Sequence, residues 1–442
     1  MQSFTMRPSQ LRLVEDIYRT DQTTKPKAYI ALGPGLTTYT TLTATSNRLH
    51  RTRRQLIGQV LTDRSMRAFE PTMIEQVDVL IRNLLASTRK SEPVNMTDES
   101  RRLGLNIAGL LAFGYDMRLQ TDEQNRFMLD MLDAGPYWSN VFLHYPRART
   151  FRLGLITVQA FRTLREPYLA LVQKMIKARM AEEAYAKHDL YSHIAHALSA
   201  DAESGGLRDS ELWFEANLFL TAAGDTVKTA LSATFFYLSR NENAYQTLAA
   251  EIRSAFQAGS EITGPGISGC QYLRACIDEA LRMSPPASGI LWREQAPETG
   301  DQALLVVDGH VIPKGTVLGV NVYSLHHNEE YFPDSFTYRP ERWLEDADTE
   351  ARRHMRDAFI PFSVGPRGCA GKSMAYLETG LVVAKVLWYF DFEAAPGKLG
   401  KVGEGHAGME EGREREGVFQ LYDTFTAMHD GPYLRFKPRG GY

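Results

Sequence analysis

Three cysteines in 442 residues, Cys270, Cys276 and Cys369, are too few for a disulfide framework, which suits a reducing compartment. Long hydrophobic runs are missing as well. No stretch of 18 or more apolar residues occurs, so the chain as written holds no transmembrane anchor. Its opening, MQSFTMRPSQLRLVEDIYRT, has the pattern of an amphipathic helix and not of a secretory signal. Charge of one sign is lacking too: 50 basic against 53 acidic residues leave a formal charge of -3, with no global pull toward nucleic acid or an anionic membrane. As written, the chain reads as soluble and cytoplasmic, and its 43% hydrophobic content suffices for a large core.

Apolar residues at three- and four-residue spacing predict helices over 47–62, 66–89, 97–113, 124–134, 150–187, 190–199, 209–240, 241–257 and 270–283, after a short one from Ser9 to Tyr18. The Thr-rich stretch TTKPKAYIALGPGLTTYTTLTATS between them reads as loop with one short strand. After Pro285 and Pro286 the texture changes to short strands with turns at Gly309 and Gly315. A Pro- and aromatic-rich connector from Tyr331 to Trp343 follows, then a helix from Lys372 to about Tyr389 and a hairpin-like C-terminus. The Gly- and charge-rich stretch 397–418 is expected to be a solvated insertion loop. The fold class is mainly α with a smaller β-rich part (α+β), in one domain across 1–442.

The stretch Phe359 to Tyr376, FIPFSVGPRGCAGKSMAY, places Cys369 in a tight turn at a helix N-terminus. Unpaired amides there carry partial positive charge and lower a thiol pKa, so a thiolate is expected. Two uses of such a site compete, a soft metal centre and a phosphate cradle. Gly371-Lys372-Ser373 ends like a P-loop, but that motif requires glycine at 366, where Pro366 stands. Glycines around the sulfur are instead expected where something large and flat approaches the backbone.

Phe362, Gly365, Arg367, Cys369 and Gly371 complete the run F-x-x-G-x-R-x-C-x-G, which resembles the haem-thiolate signature of the cytochromes P-450. Glu279-Ala280-Leu281-Arg282 on a helix and Tyr338-Arg339-Pro340-Glu341-Arg342-Trp343 resemble two further family segments. By that resemblance, Glu279, Arg282 and Arg342 form a buried charge network that fixes the cysteine turn. Ala222-Ala223-Gly224-Asp225-Thr226-Val227 resembles the family's A-G-x-D-T-[TS], with alanine for the first glycine and valine for the last hydroxyl residue. Gly224 in mid-helix costs about 1 kcal/mol against alanine, a blemish that points to function. The Arg-rich start of the 47–62 helix holds His50 and Arg54 at the family's W/H-x-x-x-R spacing.

The resemblance implies a cytochrome P-450 fold that lacks the usual N-terminal anchor, first helix and first strands. It implies haem b with Cys369 as the iron ligand, and His50, Arg54, Arg293, Phe362, Arg367 and Gly371 around the cofactor. Asp225 and Thr226 become the proton-relaying catalytic pair. A small apolar substrate is expected against the 25–45 loop, Phe127, Tyr137, Trp138, Phe142, Phe219, Ala222, Ala223, Ala287 to Leu291 and Phe425. The activity implied is a monooxygenase, most like microsomal-type fungal members of secondary metabolism. An NADPH-cytochrome reductase is its electron donor and cytochrome b5 a second candidate. Were the chain N-terminally truncated, the cytosolic face of the endoplasmic reticulum would be its location. Two alternatives stay open: a haem-thiolate isomerase or dehydratase that needs no reductase, and a haem-binding protein without activity. Substrate-dependent NADPH consumption separates them.

Overall fold

The computed structural model describes residues 10–33, 39–145, 162–193, 209–300, 303–345 and 349–440. In chain order the helices are α1 (Gln10–Tyr18), α2 (Asn47–Gly58), α3 (Asp63–Lys90), α4 (Met96–Phe113), α5 (Phe127–His144), α6 (Arg162–Met180), α7 (Asp209–Leu238), α8 (Glu242–Ala255), α9 (Gly264–Ile267), α10 (Gln271–Met283), α11 (Val322–His326), α12 (Glu350–Ala358) and α13 (Lys372–Tyr389). Several start where a side chain accepts from an otherwise unpaired amide: Ser46 from Leu49 N, Thr62 from Ser65 N and Asn95 from Thr97 N. Gly114, at φ +56°, turns the chain out of α4.

The body forms around α7, whose C-terminal half is almost wholly buried. Its broadest contact is with α4, and two glycines permit it. A Cβ on Gly224 would stand 2.3 Å from Leu105 Cδ2, and one on Gly104 would stand 3.3 Å from the Gly224 carbonyl. Gly224 is therefore a packing glycine at a helix crossing, which corrects its reading as a functional blemish. α3, α10 and α13 complete the main core. A second apolar cluster gathers Val14, Ile17, Leu305, Val320, Phe332, Met355 and Ile360, and Phe359 packs against both clusters. That residue opens the cysteine stretch, so the turn sits at the seam of the two cores.

The strands are short, as expected. β1 (Thr23–Thr24) pairs antiparallel with β3 (Glu294–Gln295), while β2 (Val94–Asn95) and β6 (Phe390–Ala394) flank β7 (Tyr433–Pro438). β4 (Leu305–Val307) and β5 (His310–Ile312) form a hairpin whose two turn residues, Asp308 and Gly309, both have positive φ.

Helix boundaries agree with the periodicity within a few residues for α2, α3, α4, α7, α8 and α10. The helix expected over 124–134 runs on to His144, and the one expected over 150–187 ends at Met180. Residues 150–161 and 194–199 of the expected helices lie outside the described residues. α12, EARRHMRDA, escaped periodicity because so few of its residues are apolar; only Arg352, Met355 and Ala358 are buried. The stretch 397–418 is tied down at both ends, with Glu404 bridged to Phe419 and 3.5 Å from Arg240 Nε, while most of 406–416 is exposed. No helix among the described residues is long and apolar enough to cross a membrane.

Inside this core lies one acid that sequence reading passed over. Glu378 on α13 is fully buried, and neither carboxyl oxygen has a hydrogen-bond partner. Its Oε1 lies 3.6 Å from where a Cβ on Gly104 would stand, beside the α4–α7 crossing. Burial alone pushes its carboxyl up to about 8. The folded state thus prefers the neutral acid. That preference stabilises fully below the unfolded pKa and is lost as pH rises from there through about 8. Glu378→Gln is expected to raise stability at neutral pH by on the order of a few kcal/mol and to flatten the decline between about pH 5 and 8. Denaturant midpoints measured across that range check this; parallel curves for both proteins would contradict it.

Candidate functional site

The cysteine turn is held by hydrogen bonds within itself: Cys369 N donates to Phe362 O at 2.8 Å and Gly368 N to Gly365 O at 3.0 Å. Gly365 has φ +72°, and a Cβ there would lie 2.0 Å from Tyr18 O. Its glycine serves the close approach of the end of α1, a correction to the idea that a flat partner alone demanded it. A Cβ on Gly371 would meet only Cys369 Sγ, at 4.0 Å, so the space beside the sulfur is open. Phe362 lies close to the turn with its ring 5.1 Å from that of Tyr376.

Behind the turn stands a buried brace. Glu279 accepts from Arg282 Nε and Nη2 at 2.9 Å each, Arg342 Nε at 3.0 Å, Trp343 Nε1 at 3.0 Å and Arg339 N at 3.1 Å. These bonds and both guanidinium groups hold the Glu279 carboxyl below its usual range despite burial, so it is an anion. Arg282 also donates to His326 O at 2.8 Å. His326 was not foreseen. Its Nε2 accepts from Ile360 N at 3.0 Å, so Nδ1 must carry the ring proton and donate to Arg282 O at 3.1 Å. One imidazole thereby ties the brace to the irregular segment that leads into the cysteine.

Cys369 is exposed by area, yet burial is the largest influence on its thiol, a combination that describes a side chain at the floor of a recess. Desolvation pushes the thiol up, against a hydrogen bond from Gly371 and the charges of Arg54, Lys25 and Lys372. The expected depression at a helix N-terminus is therefore reversed in the protein chain alone: removing the sulfur from water outweighs the amides and cations. Cys270 and Cys276 are buried with thiols pushed up by desolvation, as suits packing residues.

Around this recess cations converge. His50 is buried and pushed down to about 3, first by desolvation and then by Arg367, Lys25, Arg54 and Arg293. It is neutral. Lys25, which sequence reading missed, is buried with Nζ 2.8 Å from Leu42 O, and burial, Arg293, Arg367 and Arg54 depress its ammonium while Cys369 supports it. Its only local signal was a lysine beside Pro26 in an otherwise Thr-rich loop. Arg293 is buried over the Tyr18 ring. Arg367, lowered to about 10 mainly by burial, clasps Ala44 O, Thr24 Oγ1 and Asn47 Oδ1 at 2.7, 2.9 and 2.8 Å, and its Nε has no protein partner. Among the described residues none of Lys25, Arg54, Arg293 and Arg367 is in an ion pair.

Helix α2 joins this cluster to α7. While Arg54 acts on Cys369, its neighbour Arg53 reaches Glu211 at 2.8 Å and Glu215 at 3.6 Å. Further along α7, Ala222 is exposed and Thr226 half-buried although adjacent faces are buried, so this stripe also borders open space. Thr226 Oγ1 donates to Ala222 O at 2.8 Å. Buried Asp225 instead lies 3.5 Å from Lys228 Nζ. The expected acid–alcohol pair is adjacent in sequence but not hydrogen-bonded. Of the expected substrate contacts, Ala287, Ile290, Leu291 and Phe425 share a small cleft with Asn140 and Leu143 of α5, whereas Phe127 and Tyr137 are exposed, at 37% and 52%.

The family model described as cytochrome P450 matches residues 13–403. A cytochrome P450 monooxygenase of Gibberella zeae is 35% identical over 90% of this chain and 91% of its own length. Relatives of the same description from Gibberella fujikuroi and Alternaria alternata are 33% and 32% identical, over 94% and 90% of this chain and 81% and 77% of theirs. The chain belongs to the cytochrome P450 family, and is an oxidoreductase of the monooxygenase class with haem b as cofactor.

The recess fits that cofactor on its own chemistry. Among the described residues no cluster of three or more His, Cys, Asp or Glu side chains is placed to hold a bare metal ion, so Cys369 is not part of such a cluster. Lys25, Arg54 and Arg293 are in no ion pair among the described residues, the Nε of Arg367 has no hydrogen-bond partner although Glu298 and Asp21 act on its charge, and a haem brings two carboxylates. A thiol raised by burial must lose its proton to bind iron. Haem affinity of the haem-free protein is accordingly expected to rise with pH by up to about tenfold per unit below the thiol pKa. Haem titrations between about pH 6 and 9 check this; a flat profile would mean that the sulfur is already a thiolate.

Proposed function

We propose that this monooxygenase inserts one oxygen atom of dioxygen into a small apolar substrate of secondary metabolism. Electrons come from NADPH through an NADPH-cytochrome reductase, with cytochrome b5 as a second donor. The observation that carries the reading is a recessed Cys369 beside a group of buried and half-buried cations, Lys25, Arg54, Arg293 and Arg367, none of which is in an ion pair among the described residues. The relatives, all named cytochrome P450 monooxygenases, and their fungal sources support the choice of substrate class.

When bound, haem supplies oxygen activation, to which a thiolate ligand lends electron density. Cys369 is the proposed iron ligand, with Phe362 flanking the turn and Gly371 leaving room at the sulfur. Lys25, Arg54, Arg293 and Arg367 neutralise the cofactor carboxylates, and His50, kept neutral, offers a hydrogen bond. Thr226 holds its hydroxyl proton on the Ala222 carbonyl, from which rotation of the side chain frees it toward the open face of α7. Asp225, held 3.5 Å from Lys228 Nζ in this structure, would leave that pair to resupply the hydroxyl. The apolar face of Phe219, Ala222 and Ala223 excludes water around the reacting carbon.

A ligand screen by haem spin state, followed by NADPH consumption with reductase present, tests the function. Spectral binders that never stimulate consumption would overturn it in favour of the isomerase or dehydratase reading. Cys369→His is expected to move the reduced carbon-monoxide band to the position typical of imidazole ligation, and an unmoved band removes Cys369 as ligand. Thr226→Ala is expected to lower the fraction of NADPH converted to product while leaving spectral binding in place. Lys25→Met is expected to weaken haem retention during gel filtration by removing one buried cation.

A further inference from the structure

Tyr29 follows Lys25 by four residues, in a short 3-10 helix, Lys27–Leu32, that Pro26 precedes at φ -66° and closes by accepting from Tyr29 N at 3.0 Å. This turn lays the Tyr29 ring under the Lys25 ammonium, with Nζ 5.2 Å from the ring centre. The Phe425 ring meets it edge to face, at 6.1 Å and 79°. Between these contacts the side chain is only 1% exposed, and its hydroxyl is shut off from solvent.

That hydroxyl makes no hydrogen bond among the described residues, whichever way its O–H turns. Arg293 and the Trp292 main chain are near enough to favour the ionised phenol, but burial outweighs them and raises its pKa, so the oxygen keeps its proton. A second tyrosine beside Arg293 is different. The guanidinium lies 5.0 Å from the Tyr18 ring centre, and the Tyr18 hydroxyl donates to Leu291 O at 2.9 Å and accepts from Val320 N at 2.8 Å. Two buried phenols thus stand at one guanidinium, one with partners and one without. A buried hydroxyl with no partner is costly, and it calls for a group that completes it.

The surroundings restrict what that group can be. Lys25 and Arg293, the cations nearest Tyr29, belong to the cluster that also holds Arg54 and Arg367 and acts on Cys369. A group set among an ammonium, a guanidinium and a phenol has to accept from all of them, as a carboxylate does. We propose that the Tyr29 hydroxyl donates to one carboxylate of the cofactor, beside Lys25 and Arg293. The inference rests on the reading of the recess as a haem site. A neutral donor adds a hydrogen bond to the bound anion without adding to the repulsion among the cations when the recess is empty. Tyr29 is thus a cofactor-binding residue outside every motif that marked the site in the sequence.

Tyr29→Phe removes one oxygen and keeps the ring between Lys25 and Phe425. Haem is expected to pass from this variant to apomyoglobin on the order of tenfold faster than from wild type, as for loss of a hydrogen bond to a charged group. A merely structural role would loosen any cofactor, so the second probe is the dimethyl ester of haem, whose carboxylates carry no charge. Esterification is expected to speed release from wild type by a larger factor than from Tyr29→Phe. An equal factor in both proteins, or unchanged haem release, would overturn the proposal. Haem-free Tyr29→Phe is expected to be at least as stable as wild type, because removing the hydroxyl leaves no protein group unpaired. Lower stability without haem would mean that the hydroxyl already has a protein partner, and would also sink the assignment. If wild type itself takes up no haem, the haem reading fails; if wild type holds haem and Tyr29→Phe releases it no faster, only the role of Tyr29 does.

Discussion

The Glu279 carboxylate, fully buried and surrounded by five donor contacts, is the interaction on which the cysteine turn depends. An anion without solvent survives there only because two guanidinium groups, an indole and a main-chain amide converge on it. Removing one partner of such a group costs about 3–5 kcal/mol, since the rest is left charged and dry. The network gathers α10, the 338–343 connector and, through Arg282 and His326, the segment entering the turn. Its geometry therefore passes directly into the position of Cys369.

A second constraint runs the other way. Where Glu279 satisfies its cations, the recess above Cys369 leaves several unsatisfied. Lys25, Arg54, Arg293 and Arg367 repel one another in a poorly solvated space, which disfavours the empty protein and makes a dicarboxylate cofactor the natural counter-charge. The raised thiol of Cys369 belongs to the same balance. On the proposed reading, cofactor binding would take a proton from the sulfur and give the cations partners, linking stability of the fold to occupancy of the site.

Helix α7 carries polar chemistry on two sides. Its Thr226 face borders open space, whereas Asp225, Lys228 and Thr229 are buried, Thr229 against His429 of the C-terminal tail. The helix pair can approach this closely because Gly104 and Gly224 oppose one another. That crossing also encloses Glu378, whose neutral form suits a site with no partner for an anion. Packing and protonation on this helix are consequently one problem.

The chain's local patterns determined a great deal. Periodicity marked most helices, and the spacing of Phe362, Gly365, Arg367, Cys369 and Gly371 marked the site, because a turn before a helix is encoded by neighbouring residues. Three-residue spacing likewise put Glu279 and Arg282 on one helical face. Tertiary structure decided whatever depends on residues far apart in sequence. It brought Lys25 to Cys369, set His326 between Arg282 and Ile360, and assigned Gly224 to packing. It also reversed the expected thiol shift, since a helix N-terminus is local but desolvation is the sum of everything that surrounds the sulfur.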